Sequence, residues 1–259
     1  MPTDSVTLER DGALARVRFD RGGSLNAFDQ DTILALTDIA QSLQNDLSIH
    51  AVVLTGADDV FAAGIDLKDE RMWQQEGMSD LEKREIFYRG VRLCQAWEDM
   101  PQVTVAAMEG FAIGAGCALA LACDFRILAE NAFLQVPEVK IGLNLQWGAL
   151  PRLITLVGPA KAKRICLLCE RLPAADALSW GLVDDIAPVG QTQPRAEEWA
   201  RKTLEMPAAT VRMVKEGINA TANALHKATA FADADQSQLS GAFVEAVAAR
   251  DAFAKKSKG

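Results

Sequence analysis

The sequence predicts an α/β protein that ends in a helical region. Short apolar runs of strand type alternate with segments of helical spacing as far as Ile186. From Pro194 onward every segment has helical spacing, and no flexible linker separates the two parts. We therefore divide the chain into an α/β core, residues 1–195, and a C-terminal helical region, residues 196–259.

The N-terminal elements follow from polarity patterns and turn residues. Apolar residues alternate with polar ones between residues 6 and 19 around Asp11-Gly12, which predicts a β-hairpin. Asp29 is placed to cap a helix whose apolar residues lie on one face. The run Ala51–Thr55 is a short buried strand that ends at Gly56.

The middle of the chain continues this alternation. Ser79 and Glu82 form a capping box that opens a helix toward Met100. A strand, Val103–Met108, follows Pro101, and a short helix of small residues is predicted from 115 to 123. Two further runs, 125–128 and 133–136, are interpreted as strands that pair with each other.

The remaining elements are mostly helical. We predict helices over residues 149–157, 159–169 and 174–180, and a last strand over 182–186. Two long helices, 208–224 and 227–255, are predicted in the C-terminal region.

Composition excludes several classes of function. The net charge of -8 and the pI near 4.9 argue against a nucleic-acid surface. The apolar run 103–123 is long enough for a membrane span, but Glu109 and three glycines interrupt it, so we interpret it as a buried core. The first ten residues lack the apolar core of a signal peptide. A cytoplasmic protein without membrane partners is expected.

The cysteines do not indicate a metal site or a disulfide framework. Five cysteines are too few for a secreted scaffold and fit a reducing compartment. Cys166 and Cys169 form a C-x-x-C pair, but a zinc site needs a second pair of ligands, and the chain has only two histidines. We expect no metal and no redox cofactor.

A glycine loop is the first candidate for chemistry. Gly114-Ala115-Gly116 follows a buried strand and opens a helix, so a ligand can approach Gly114 closely and face the free N–H groups of the first turn. The helix dipole favours an oxyanion there. The alternative is a dinucleotide-binding loop, but Leu119 occupies the third small position and no acidic residue ends a second strand about 20 residues later. Tight packing of helix on strand is the non-catalytic interpretation.

A second loop, residues 61–67, also has accessible backbone N–H groups after a buried strand. Residues 61–67 follow the strand Ala51–Thr55 and are rich in small side chains, so their backbone N–H groups are accessible. Two such loops at neighbouring strand ends can supply the two donors of an oxyanion site.

Along almost its whole length the chain resembles the crotonase superfamily, the enoyl-CoA hydratases and isomerases. The resemblance depends on the order and spacing of several segments, which are Leu25-Asn26-Ala27 and residues 52–56, 61–67, 110–124, 136–143, 153–161, 177–183 and 251–256. It implies a core of repeated strand–strand–helix units wound into a superhelix, with C-terminal helices that assemble homotrimers or dimers of trimers. The implied ligand is an acyl-coenzyme A thioester as substrate, without a further cofactor.

The resemblance also assigns roles to residues. The two oxyanion N–H groups of the family correspond to Ile65 and Ala115. The positions that line the coenzyme A channel correspond to Ala63, Ile65 and Lys68. Phe253 and Lys256 correspond to positions that contact the nucleotide, in many members from a neighbouring subunit.

One departure from the family pattern bears on the reaction. The hydratases use two glutamates, and Glu138 corresponds to one of them, whereas Ala118 stands where the other is found. A single carboxylate suits a proton shuttle, in which Glu138 removes a proton from C2 of a 3-enoyl thioester and returns it at C4. Double-bond isomerisation is therefore favoured over hydration.

The segment after Gly142 also departs from the family pattern. Gln146 and Asn144 are candidates for orienting a water or a polar substituent, and Trp147 for shaping the acyl pocket. Helix capping by Asn144 and core packing by Trp147 are the structural alternatives.

Four other functions remain open. Hydration is possible if Gln146 or Asn144 replaces the missing glutamate. The scaffold also hosts carbon–carbon cleavage and thioester hydrolysis. A non-catalytic acyl-CoA binder is the alternative outside the enzymes.

Overall fold

The computed structural model describes residues 5–73 and 76–256, apart from the side chains of residues 251 and 253–256. Within these ranges the strands are β1 (Val6–Asp11), β2 (Leu14–Phe19), β3 (Ala51–Thr55), β4 (Val103–Met108), β5 (Phe111–Ile113), β6 (Phe125–Ala129), β7 (Phe133–Gln135), β8 (Leu172–Pro173) and β9 (Asp185–Ala187). The α-helices of the same ranges are α1 (Gln30–Gln44), α2 (Glu70–Trp73), α3 (Asp80–Glu98), α4 (Ala115–Leu121), α5 (Ala149–Leu168), α6 (Ala174–Ser179), α7 (Thr192–Leu204), α8 (Ala208–Ala222), α9 (His226–Ala230), α10 (Asp233–Gly241) and α11 (Val244–Lys256). Two short 3-10 helices are Ser24–Asn26 and Glu138–Ile141.

The strands form two sheets. The larger has the order β1-β2-β3-β4-β6-β9, in which only β1 and β2 are antiparallel. The smaller has the order β5-β7-β8, with β5 and β7 parallel. Because β5 follows β4 directly and β7 follows β6, the chain passes twice from the large sheet to the small one. The ends of β5 and β7, at Ile113 and Gln135, lie on the wall of a cavity.

Both faces of the large sheet are covered. Val53, Val105 and Ile127 lie on one face and pack with Ala196 and Ala200 of α7. Their neighbours along the strands point to the other face, where they join the main core with α1 and α3. Because both faces of the sheet are buried, every residue of the central strands can be apolar, and the apolar–polar alternation of a half-exposed strand is absent.

The long apolar run 103–123 is a core segment, as predicted. It comprises β4, β5 and α4, and its one charged residue, Glu109, accepts hydrogen bonds from the backbone N–H and the hydroxyl of Thr192 at 3.2 and 2.7 Å. That contact lies at the start of α7. Within the described part of the chain, no helix is long and apolar enough to cross a membrane.

Most predicted elements are confirmed by the structure. The hairpin, the strands β3 and β4 and the helix α4 lie where the patterns place them. Asp29 caps α1 by accepting a 2.8 Å hydrogen bond from the N–H of Thr32. The capping box of Ser79 and Glu82 is present at α3. The capping residues that predicted these two helices thus form the expected hydrogen bonds at the helix N-termini.

Three predictions were wrong in detail. β6 and β7 do not pair with each other, because β7 pairs with β5, where Phe133 stacks on Phe111 with ring centroids 5.5 Å apart. The last strand begins at Asp185 rather than at residue 182, since the N–H of Leu182 still bonds to α6. The helix predicted over 227–255 is divided into α9, α10 and α11. At the first break the hydroxyl of Tyr88 donates to the carbonyl of Phe231. In a continuous helix this carbonyl would accept a backbone N–H instead.

The predicted boundary after residue 195 falls inside α7. Ala196 and Ala200 are fully buried against the large sheet, so α7 packs as part of the α/β core. The helices that follow lie outside this sheet. α8 contacts α7, α9 contacts α5, α10 contacts α3 and α11 contacts the 3-10 helix Glu138–Ile141.

Candidate functional site

A cavity of about 380 Å³ lies where the loop after β3, the start of α4 and the segment after β7 meet. Most of its wall is apolar side chain and exposed backbone. The residues that line it are Leu25, Ala63, Gly64, Ile65, Leu67, Met72, Trp73, Ile113, Gly114, Ala115, Ala118, Gln135, Pro137, Glu138, Lys140, Ile141, Leu143, Leu145, Gln146 and Trp147. Both sequence-predicted loops and the predicted acid therefore face one cavity.

Backbone hydrogen bonds on two sides hold the loop after β3. On one side the N–H of Ala63 donates to Leu25, and Phe28 pairs with Ile65 in a parallel bridge. On the other side Ala62 pairs with Ala112 of β5 in a second parallel bridge. The loop thus has strand-like pairing on both edges, which fixes the backbone from Ala62 to Ile65.

This pairing determines where the amide of Ile65 points. The bridge to Phe28 uses the carbonyl of Gly64 and the N–H of Asp66, at 2.7 and 2.8 Å. In an extended segment successive N–H groups point to opposite edges, so the N–H of Ile65 points away from Phe28.

The amide of Ala115 lies close to this position. Ala115 is the first residue of α4, so its N–H has no acceptor within the helix. Gly64 is packed so closely here that a Cβ atom on it would lie 3.1 Å from the carbonyl oxygen of Ile113 and 3.8 Å from the nitrogen of Ala115. The two loops are therefore adjacent at the cavity wall.

Glu138 reaches the same place because Gly114 has no side chain. A Cβ on Gly114 would lie 2.5 Å from Oε1 of Glu138, so the carboxylate occupies the space next to this glycine. Gly114 also has φ 51° and ψ −110°, a backbone conformation available to glycine. The carboxylate thus lies beside the N-terminus of α4, one residue from Ala115.

The environment of Glu138 favours its neutral form. The side chain is half-buried, and its Oε2 is buried without a hydrogen-bond partner among the described residues. Burial raises the pKa of Glu138 to about 7, against a lowering contribution from its own backbone N–H. A carboxyl with this pKa can both accept and release a proton near neutral pH.

The raised pKa predicts that Glu138 destabilises the folded protein at high pH. The folded state keeps the proton up to about pH 7, whereas an ordinary glutamate releases it near pH 4.5. The unfolded state therefore binds fewer protons in this window, and the free energy of unfolding falls as pH rises through it. We expect Glu138→Gln to be more stable than the unsubstituted protein at pH 8, by up to about 3 kcal/mol, with a much smaller difference at pH 5.

Urea unfolding of both proteins at pH 5 and pH 8 measures this difference. Glu130→Gln is a matched control, because it makes the same substitution at an exposed glutamate outside the cavity. An equal stability difference for Glu138→Gln at the two pH values would contradict the assigned pKa.

Ala118 lies on the wall of the same cavity as Glu138. It is 1% exposed and faces the cavity from α4. Among the described lining residues, Glu138 is the only carboxylate. Lys140 is the only cation of that set, and its Nζ donates to the carbonyl of Cys169 at 3.3 Å.

The segment after Gly142 contributes Gln146 and Trp147 to the wall. Oε1 of Gln146 is buried and has no hydrogen-bond partner within the described ranges. Trp147 is 4% exposed and packs against Phe28, with ring centroids 6.0 Å apart, and over the backbone of Gly90. Asn144 is not on the wall, because its Nδ2 donates to the carbonyl of Asp233 at 3.1 Å.

Of the other predicted binding residues, some line the cavity and some do not. Ala63 and Gly114 line the cavity, and Lys68 is exposed beyond the loop, with its backbone N–H bonded to Asp66. Phe253 and Lys256 belong to α11, but their side chains lie outside the described residues.

An ion pair that sequence patterns did not reveal anchors the loop of Ile65. Arg21 donates to Asp66 Oδ2 at 2.7 Å, pairs with Asp29 at 3.0 Å and donates to the carbonyl of Ala27 at 2.6 Å. Asp66 directly follows Ile65 and is 9% exposed. Arg21 therefore ties the loop to the start of α1. No local signal identifies such a contact over 45 residues.

Several apolar wall residues were also missed. Met72 and Trp73 of α2, with Leu143 and Leu145, close the cavity with side chains that a sequence pattern assigns to an ordinary core. Across residues 5–73 and 76–256, no group of three or more His, Cys, Asp or Glu residues could hold a metal ion.

Comparison with known proteins finds relatives that share one description, enoyl-CoA hydratase. A family model described as enoyl-CoA hydratase/isomerase matches residues 9–258. A short-chain-enoyl-CoA hydratase of Clostridium acetobutylicum is 32% identical over 220 residues, which cover 85% of this chain and 82% of that protein. A probable enoyl-CoA hydratase of Mycobacterium tuberculosis is 32% identical over 258 residues, covering 95% and 96%.

Solved structures show the same similarity. An enoyl-CoA hydratase from Mycobacterium avium subsp. paratuberculosis superimposes with a TM-score of 0.87 at 27% identity, over 98% of this chain and 97% of that one. Pseudomonas aeruginosa DspI superimposes with a TM-score of 0.78 at 32% identity, over 85% and 82%. These matches confirm the predicted crotonase-like α/β fold.

Proposed function

Because this chain belongs to the enoyl-CoA hydratase/isomerase family, we propose that it binds an acyl-coenzyme A thioester and stabilises the thioester enolate. The N–H groups of Ile65 and Ala115 receive the thioester oxygen, and Glu138 is the single acid–base group. The observation that carries this proposal is the position of the Glu138 carboxylate, which fills the space beside Gly114 next to the start of α4. A base for the adjacent carbon and donors for the oxygen thereby share one cavity.

The reaction we favour is the isomerisation of a 3-enoyl thioester to a 2-enoyl thioester. Glu138 removes a proton from C2, and the negative charge spreads over a dienolate whose oxygen accepts the two N–H hydrogen bonds. The protonated Glu138 then returns the proton at C4. The double bond moves from C3–C4 to C2–C3, and no atom is gained or lost.

The site suits this shuttle for two reasons. The pKa of Glu138, about 7, lets one carboxyl serve as base and then as acid near neutral pH. Ala118 places a methyl group on the wall, so a second carboxylate is not present at that position to activate a water.

A panel of 2-enoyl and 3-enoyl thioesters of different chain lengths, incubated in deuterated water, tests the proposal. We expect isomerisation of at least one 3-enoyl thioester, with deuterium incorporated at C2 or C4. If the protein binds thioesters but neither converts them nor introduces label above background, it is a non-catalytic binder, and the proposed reaction is wrong.

Hydration of a 2-enoyl thioester is the second candidate. It is favoured by the buried, unpartnered Oε1 of Gln146 on the same wall, which can accept a hydrogen bond from a water. The two relatives described above are also named hydratases. In this reaction the water oxygen bonds to C3, and Glu138 transfers the proton of that water to C2. Asn144, which faces Asp233, is the weaker candidate for holding the water.

Replacing Gln146 with methionine separates the two candidates. If Gln146 holds the attacking water, Gln146→Met should lower hydration about 10²-fold while isomerisation changes little. Gln135→Met is a suitable control, because Gln135 also lines the cavity but its Nε2 donates to the carbonyl of Cys169 at 2.8 Å. Equal loss of both reactions in Gln146→Met would show that Gln146 shapes the pocket rather than holding water.

The assembly and the nucleotide contacts remain part of the proposal. Lys68, Phe253 and Lys256 are the residues we assign to coenzyme A, on the basis of the family resemblance. A homotrimer or a dimer of trimers is consistent with exposed apolar side chains on α8, where Met213 and Ile218 are 71% and 60% exposed. We place the protein in the cytoplasm.

A further inference from the structure

The turn that carries Gln146 and Trp147 has an unusual backbone. Trp147 has φ 65° and Gly148 has φ 67°, so two consecutive residues are in the left-handed region. A side chain as large as tryptophan rarely adopts this conformation, and it persists only where surrounding groups hold it. Two side chains, Arg152 and Asp233, hold this turn.

One holding group comes from α5. Nη1 of Arg152 donates to the carbonyl of Trp147 at 2.8 Å. The same guanidinium makes two 2.8 Å hydrogen bonds to the carboxylate of Glu98 at the end of α3. Arg152 therefore fixes the carbonyl side of the turn.

The other holding group comes from the C-terminal helical region. Oδ2 of Asp233, the first residue of α10, accepts a 2.7 Å hydrogen bond from the N–H of Gly148. The backbone carbonyl of Asp233 accepts the Nδ2 hydrogen bond of Asn144. One residue thus binds both ends of the segment between Asn144 and Gly148.

Asp233 is buried but does not line the cavity. It is 9% exposed, and its Oδ1 is buried with no hydrogen-bond partner among the described residues. A buried carboxylate with one unpartnered oxygen lowers the stability of the folded state. Its presence therefore points to a role for the hydrogen bonds that its other atoms make. Its long-range hydrogen bonds are those to the turn, at a distance of 85 residues along the chain for Gly148.

We propose that Asp233 is a positioning residue that sets the acyl specificity of the site. By holding the 144–148 turn, α10 places the side chains of Gln146 and Trp147 on the cavity wall. The inference rests on the proposed function, because it takes this part of the wall to contact the acyl group. The C-terminal helices thereby shape the pocket of their own chain.

The test compares three variants. Asp233→Ala removes the acceptor for Gly148, whereas Asp233→Asn keeps a carbonyl oxygen in the same place. Asp235→Asn is the matched control, because Asp235 lies two residues further along α10 and pairs with Arg84 of α3 at 2.8 Å, away from the turn. Turnover is measured on thioesters of increasing acyl length, together with the 19F NMR spectrum of protein labelled with 5-fluorotryptophan.

We expect Asp233→Ala to lower kcat/KM about 10- to 100-fold and to change the order of preference among acyl lengths. Asp233→Asn should recover most of this loss, and Asp235→Asn should stay within about threefold of the unsubstituted protein. The Trp147 resonance, assigned with Trp147→Phe, should shift in Asp233→Ala and stay unchanged in Asp235→Asn.

Two outcomes would overturn the proposal. The first is a Trp147 resonance that is unchanged in Asp233→Ala, and the second is a loss of turnover that is equal at every acyl length. If the resonance shifts but the unsubstituted protein converts no thioester, the role of Asp233 in holding the turn stands and the proposed function falls. If Asp233→Ala does not fold, the Trp147 shift and acyl preference of Asp233→Asn decide, since its Nδ2 replaces the unpartnered Oδ1.

Discussion

Glu138→Gln is expected to lower the rate of thioester conversion by about 10²–10⁴-fold, because an amide can neither remove the C2 proton nor return it. KM should change little, since the glutamine side chain has nearly the same shape. The reaction of the unsubstituted protein should also slow about tenfold for each pH unit below about 7, where Glu138 holds its proton and cannot act as a base.

Deuterium exchange at C2 and the pH–rate profile measure these effects directly. Glu130→Gln is again the control, and its rate should match that of the unsubstituted protein. Full exchange in Glu138→Gln would show that another group removes the proton. Combined with the stability measurement above, a variant that is less active yet more stable at pH 8 would identify Glu138 as a group buried for its reactivity.

Gly114→Ala is expected to reduce turnover by about 10²-fold or more, although the added group is only a methyl. The new Cβ would lie 2.5 Å from Oε1 of Glu138, so the carboxylate must move, and a displacement of about 1 Å can cost about 10²-fold in rate. The variant should also lose stability, by about 1–3 kcal/mol, because alanine tolerates φ 51° with ψ −110° poorly.

Gly158→Ala separates the two effects. Gly158 also has a positive φ, 75° with ψ 166°, but a Cβ there would meet nothing within 4 Å. We expect it to lose a similar amount of stability and to keep its activity. If Gly158→Ala and Gly114→Ala reduced kcat equally, backbone strain rather than displacement of Glu138 would explain the loss.

Much of the fold could be predicted because the signals are local. The hairpin turn, which lies at Gly12-Ala13 and so one residue after the predicted Asp11-Gly12, the cap of Asp29 and the capping box of Ser79 depend on residues only a few positions apart. The same is true of the opening of α4 at Gly114, whose conformation requires glycine. The resemblance to the family then added an order of segments that no single motif provides.

The sequence by itself determined which groups are available for chemistry, including one glutamate at position 138 and an alanine at position 118. Only the tertiary structure decided how they meet. The pairing of β7 with β5, the burial that raises the pKa of Glu138 and the contact of Asp233 with Gly148 join residues far apart in the chain. Strand partners and desolvation depend on which surfaces pack together, and residue types at local spacing do not encode that choice.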